Sequence, residues 1–365
     1  MNAMTRQAER IRQKFLALAD TDLSSQDCKT AIIEEVRLLI PFAAACCTAV
    51  DALTMLSTGA VTETGVENMH PKLFVFEYLN EDFNAFSRLA EADVTVAALS
   101  TATSGQLEQS ARFRNVLHPE GFGDELRAAL VEDGKCRGFL TLFRSHEQPF
   151  FSEEECVALS LITPALAYCL YRTTLVVPQL HHTKRPTGPG VLILSERLEL
   201  LSADAAAESW LSALQHFERI GDATLPRPVR AVCMRALSSA GKEVHPGEQP
   251  NVCVAMQDGS YLSIRASRLH ALTEGDAKLA VCFEDAKPSD MLPVMAELYG
   301  LSARETEILE QIVAGHSTRE VAVTLHISAY TVQDHLKAIF AKTGFSSRRE
   351  LIWHVYSRFS AKQFP

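Results

Sequence analysis

No Cys-x-x-Cys pair occurs anywhere in the 365-residue chain. Its nine cysteines, at positions 28, 46, 47, 136, 156, 169, 233, 253 and 282, are scattered and odd in number. That suits no closed disulfide framework. No secretory signal pattern opens the N-terminus, so reduced thiols in a cytoplasm are expected. Cys46 and Cys47 read as two small buried apolar residues rather than a redox pair. Internal repeats and low-complexity runs are missing. The middle of the chain holds no metal-ligand spacing, nucleophile elbow or glycine-rich phosphate loop, so no cofactor is expected. The first 176 residues show no βαβ alternation, which disfavours a phosphorylated receiver domain.

Positive charge is also scarce. There are 35 Lys and Arg against 45 Asp and Glu, a net charge of -10. A surface coated all over for nucleic acid or membrane is therefore excluded. The deficit is uneven: from Gly300 onward eight basic residues oppose six acidic ones, so that segment is +2 and the remainder -12. Only one long apolar run exists, Val157 to Val177. A spanning helix needs about 20 apolar residues. This run carries Ser160, Thr163, Tyr168 and Arg172, with Pro164 inside, so a buried helix closing a domain is expected instead.

What is present supports packed cores, with 47% apolar residues and a length suited to two or three domains. Two Pro-rich stretches, Val177 to Gly190 and Asp285 to Pro293, read as linkers. The expected domains are 1–176, 189–286 and 294–365, with a linker at 177–188. The first opens with two helical stretches. Two β-compatible runs then flank Asp133-Gly134, a hairpin signal. Ser152 and Glu155 form a capping box that opens a long helix. The layout is α+β. A strand ending in Arg144, then "PFFSEEE", then a long helix resembles the close of a GAF sensory domain, most clearly from Glu125 to Tyr171. That resemblance implies a sensor or dimerising module. In "HPKLFVFEYLNEDFNAF" the aromatics Phe74, Phe76, Tyr78, Phe83 and Phe86 could line a ligand pocket, or be ordinary core.

The middle part reads strand, strand around Ser195-Glu196-Arg197, then helix, then three strands with a hairpin at Asp258-Gly259. That order resembles a PAS-like domain.

The last part carries the strongest local signals. Ser302 with Glu305 and Ser317 with Glu320 are capping boxes, Ser328 caps a third helix, and Ser347 with Glu350 opens a fourth. Gly315 and Gly344 are stops. Ile308, Leu309, Ile312 and Val313 mark one apolar face. Val321, Ala322 and Leu325 mark a second, and Val332, Leu336, Ile339 and Phe340 a third. Short helices joined by a tight turn fit a helix-turn-helix.

The stretch "LSARETEILEQIVAGHSTREVAVTLHISAYTVQDHLKAIFAKTGFSSRREL" resembles the DNA-binding domain of LuxR-type transcriptional regulators. The resemblance implies a four-helix domain, a third helix in the major groove and a fourth helix that dimerises. It places Gln333, Asp334 and Lys337 at base edges, where Gln suits adenine, Lys guanine and Asp a cytosine amine. It places Ser317, Thr318, Arg319, Tyr330, Thr331, Lys342 and Arg348 at phosphates. Asp334 departs from the basic or small residue common there; it either reads a base donor or lowers affinity. His335 reads as a packed or capping residue.

The whole is expected to be multidomain α+β. GAF-like and PAS-like α/β sensor domains precede an all-α four-helix LuxR-type helix-turn-helix domain. Its expected partners are double-stranded DNA, a second copy of itself and a small-molecule ligand of unknown identity, with no membrane. The rival readings are an interaction scaffold, a phosphorylated response regulator, or an enzyme.

Overall fold

The structure is a computed structural model that describes residues 3–80, 82–175, 186, 188–239, 249–256, 260–270 and 277–359. Of the expected linker at 177–188 only residues 186 and 188 are among them, and the Asp258-Gly259 turn lies outside. The chain divides into two compact bodies: residues 1–258 with 264–283, and residues 259–263 with 284–365.

The first body begins with α1 (Ala3–Leu18) and α2 (Ser25–Leu39). Their buried residues recur at helical spacing: Ala8, Ile11 and Phe15 on α1; Cys28, Ile32, Val36 and Leu39 on α2. Ser24 caps α2, its side chain accepting the Asp27 N–H at 3.1 Å. There follow β1 (Ala44–Val50), β2 (Ser57–Thr62), α3 (His70–Tyr78), α4 (Phe86–Glu91), β3 (Val96–Ala98), α5 (Leu99–Ala102), β4 (Phe122–Glu132), β5 (Lys135–Ser145) and α6 (Glu153–Leu175). The strands form one sheet in the order β2-β1-β5-β4-β3. Every neighbouring pair is antiparallel. Asp133 and Gly134 join β4 to β5 with φ of 48° and 71°, the left-handed pair that a two-residue hairpin requires.

Strand alternation gives this sheet two covered faces. Ala45, Cys47, Leu126, Ala128, Leu140 and Leu142 face the core shared with α1, α2 and α6. Cys46 points the other way, into a cluster with Phe113, Phe122 and Phe143. The adjacent cysteines are thus both buried, on opposite faces, and both thiols are free. Burial pushes the Cys47 thiol up to about 12. Because both faces are covered, β1 reads "AACCTAV" without polar alternation, which is why sequence reasoning did not mark it as a strand.

Among the described residues one helix, Glu153–Thr174, is long and apolar enough to cross a membrane by length and composition. Here its Leu159, Ile162, Leu166 and Leu170 are core against α1, α2 and the sheet. Pro164 lies inside it and cannot bond the Ser160 carbonyl as a helical N–H would. The Thr163 hydroxyl donates to that carbonyl instead, at 3.1 Å.

After α6 come β6 (Gly190–Ser195), β7 (Leu200–Ala203), α7 (Ala205–Glu218), α8 (Arg227–Ser238), β8 (Asn251–Ala255), β9 (Tyr261–Leu269) and β10 (Lys278–Asp285). The second sheet runs β7-β6-β10-β9-β8. Its strand order therefore repeats that of the first. One helix was expected between β7 and β8, but the structure has two. The second, α8, carries Arg227, Arg230 and Arg235 among apolar residues, and Arg227 and Arg230 are buried too. Its charge hid a core helix.

The two sheet-bearing parts are locked together by buried polar groups. Glu218, fully buried, accepts the backbone N–H of Ala60 at 3.1 Å and of Arg227 at 2.8 Å. Arg227 and Arg230 both pair with Glu67. Gln26 donates to the Phe217 carbonyl at 2.9 Å, and Arg235 to that of Thr54 at 3.1 Å.

The second body is helical: α9 (Pro288–Leu298), α10 (Ala303–Val313), α11 (Thr318–Thr324), α12 (Ala329–Thr343) and α13 (Arg348–Phe359). The stretch expected as a linker, Asp285 to Pro293, is largely the first turns of α9. Pro288 sits at the first helical position, where its missing N–H costs nothing. The Lys287 N–H donates to Asp290 at 3.0 Å, and Met291, Leu292 and Met295 are buried.

Candidate DNA interface

Local sequence sets this site. Ser302 accepts the Glu305 N–H at 3.3 Å while Glu305 accepts that of Ser302 at 2.6 Å, which starts α10. Ser317 and Glu320 repeat the box at α11, and Ser328 accepts the Thr331 N–H at 3.0 Å to start α12. Gly344 ends α12 with φ 76°. At α13, Ser347 accepts the Glu350 N–H at 3.2 Å, and the Glu350 carboxylate accepts the Ser346 N–H at 2.8 Å and its hydroxyl at 2.6 Å.

The inner faces are as spacing dictates. Ile308, Leu309, Ile312, Val321, Val332, Leu336, Ile339, Leu351 and Val355 are buried, whereas Leu325 and Phe340 are half-buried. The turn between α11 and α12 bends through His326 at φ 53°. Arg304 on α10 donates to the Leu325 carbonyl at 2.7 Å and so braces that turn. Sequence reasoning missed this role, because nothing near Arg304 in the chain points to a carbonyl twenty-one residues away.

The outer face of α12 presents Tyr330, 74% exposed, with Gln333, Asp334 and Lys337. These positions lie three or four residues apart on one face. Gln333 donates to the Thr318 hydroxyl at 3.3 Å, tying α12 to the start of α11. Lys337 pairs with Asp334 at 3.0 Å, so the acidic side chain has a cation beside it. Ser317 and Arg319 are exposed, and Thr318 and Thr331 half-exposed, around the same end of the motif. Lys342 and Arg348 are engaged within the domain. Lys342 donates to the Gly300 carbonyl at 3.0 Å and to Glu305 at 2.7 Å, and Arg348 donates to the His316 carbonyl. Burial alone would raise Glu305, but Lys342 and Ser302 outweigh it and hold the carboxyl below its usual range. His335 is half-buried, and no metal-holding cluster occurs among the described residues.

The first body contains a cavity of about 60 Å³ between the second face of its first sheet and α3 and α4. Phe74, Tyr78 and Phe86 line it. Phe76 and Phe83 do not; they pack against the neighbouring cluster around Phe113 and Phe122.

The family model for "Bacterial regulatory proteins, luxR family" matches residues 300–355. The transcriptional regulatory protein TdiR of Thauera aromatica is 46% identical over 55 residues, which are 15% of this chain and 24% of that protein. The match thus spans about a quarter of that relative's length. Among solved structures, the Vibrio cholerae VqmA dimer in the absence of target DNA is 15% identical over 47% of this chain and 83% of that one, with a TM-score of 0.20. The E. coli DhaR(N)-DhaL complex is 13% identical over 78% of this chain and 91% of that one, with a TM-score of 0.24. Scores this low do not establish a shared arrangement of the whole chain.

Proposed function

Residues 300–355 are a LuxR-type helix-turn-helix domain, and from that premise we propose that the chain is a sequence-specific, DNA-binding transcriptional regulator controlled by a signal received in its first body. The observation that carries the reading is the two-sided build of α12. Its inner face is locked by Val332, Leu336 and Ile339, and its outer face holds Gln333, Asp334 and Lys337 in solvent. Those three are assigned to base edges. Ser317, Thr318, Arg319, Tyr330 and Thr331 are assigned to phosphates, with Lys342 and Arg348 serving chiefly as struts and adding phosphate contact from the rim.

A homodimer is part of the proposal, because one such module covers too few base pairs to be selective alone. The -12 charge of residues 1–299 keeps nonspecific DNA binding low. The two antiparallel sheets of the first body support GAF-like and PAS-like sensor modules. The cavity beside α3 is the proposed ligand site, in a cytoplasmic protein. The ligand acts by binding one arrangement of the protein better than another.

The test is footprinting with the full chain. A Gln333→Ala, Asp334→Ala, Lys337→Ala variant is expected to lose its footprint. An unchanged footprint would remove these residues from base recognition.

A further inference from the structure

The cavity beside α3 limits what can occupy it. Its upper wall is aromatic, from Phe74, Tyr78 and Phe86, and its sheet floor includes Thr48, Thr141 and Phe143. The ionic groups at its edge are already matched. Glu125 pairs with Arg112 at 2.7 Å and with Arg127 at 3.1 Å, and Arg127 also pairs with Glu77 at 2.8 Å. A charged ligand would be stripped of water without gaining a counter-ion.

Glu125 Oε1 and Arg127 Nε lack a hydrogen-bond partner but face each other in their ion pair; the lining residue with an unpaired atom and no such counter-charge is His70. His70 is buried at the start of α3, and its Nδ1 has no hydrogen-bond partner. Its other ring nitrogen lies 3.7 Å from the Cys46 sulfur. Either atom of that pair can be the donor, so Nδ1 is left needing either an acceptor or a donor. A buried polar atom left unpaired is costly. Burial, with Arg227 and Arg230 close by, holds the imidazole well below its ordinary pKa and therefore neutral. A hydroxyl answers either tautomer, since it both donates and accepts.

Size narrows the class further. At about 10–15 Å³ of such space per water, the cavity takes on the order of four to six waters, or 120–180 Å³ of liquid. A single substituted ring has about that volume; an apolar cavity of about 150 Å³ holds benzene.

We propose that the cavity binds a small, neutral, hydroxyl-bearing compound no larger than one ring, a phenol or short alcohol, with its hydroxyl on His70 and its apolar part against Phe74 and Phe86. This inference rests on the sensor reading of the cavity and adds the ligand's chemistry.

The experiment titrates the full chain by calorimetry with phenol, toluene and benzoate, three single-ring probes that differ in hydroxyl and charge. Phenol should bind at one site at least tenfold tighter than the other two. His70→Phe should weaken phenol at least fivefold while leaving toluene within twofold. Phe86→Trp, which fills the cavity from another side, should abolish phenol binding in a protein whose melting is still cooperative. Benzoate or toluene binding as tightly as phenol would overturn the hydroxyl class while keeping a ligand cavity. Binding of none of the three would overturn both the class and the sensor reading of this cavity. DNA binding measured on the same preparation reports separately on the regulator.

Discussion

Arg144, next to last in β5, donates to the carbonyls of Pro41, Pro149 and Phe150 at 2.9–3.1 Å, and to Glu155 at 2.6 Å. One guanidinium thus ties strand end, loop and the α6 cap, which explains the "PFFSEEE" stretch in physical terms. Removing one partner of a buried pair leaves the other charge unmatched. Arg144→Met is therefore expected to cost about 3–5 kcal/mol in denaturant unfolding of the first body. A loss under about 1 kcal/mol would show that the pair is not structural.

Lys29 gives a pH-dependent counterpart. Burial pulls it down from 10.5 to about 8, while its ammonium donates to Ser25 at 2.7 Å and Gln26 at 3.0 Å. In that window the unfolded chain holds the proton and the folded one has released it, so Lys29's contribution to stability rises with pH. Buried Cys47 and Cys233, both raised to about 12, act oppositely, since the folded state keeps protons the unfolded thiols have lost. The term is isolated by comparing wild type with Lys29→Met. Their stability difference should move by about 2 kcal/mol in favour of wild type between pH 7.5 and 9.5. A constant difference would place Lys29 in solvent.

At the scale of elements, what could be read from the chain depended on how local the cause was. Capping boxes, glycine stops and helical spacing lie within about fifteen residues of one another, so α10 to α13 and their outward face were legible. The cavity was only half legible. The aromatic stretch was found, but without knowing that it forms a helix its aromatics could not be sorted. On α3 the cavity takes His70, Leu73, Phe74, Glu77 and Tyr78, the 3.6-residue repeat, and Phe76 falls off it. Glu125, Arg127 and Phe143 come from strands distant in sequence, and no local signal brings them there. The α9 stretch misled because proline at a helix start looks like proline in a linker.

Within α6, the Thr163 hydroxyl satisfies the carbonyl that Pro164 leaves open. Thr163→Val should cost about 1 kcal/mol in the wild type and distinctly less in a Pro164→Ala background, where an N–H returns. Equal costs in both backgrounds would sink the pairing.

Across the whole molecule, charge separates a +2 C-terminal segment from a -12 remainder. Salt should therefore weaken DNA binding through a few contacts only. Arg319→Ala should lower the slope of log affinity against log salt by about one, without changing the preferred sequence. An unchanged slope would take Arg319 off the phosphates.

The central claim is that α12 reads sequence. The most direct measurement is selection of binding sites from a random DNA pool by the full chain and, in parallel, by the Gln333→Ala, Asp334→Ala, Lys337→Ala variant. The wild type should enrich one two-fold-symmetric sequence. The variant should enrich none, with affinity for that sequence reduced on the order of a thousandfold, since each lost base contact costs about 1–3 kcal/mol. Enrichment of the same sequence by both proteins would contradict the account.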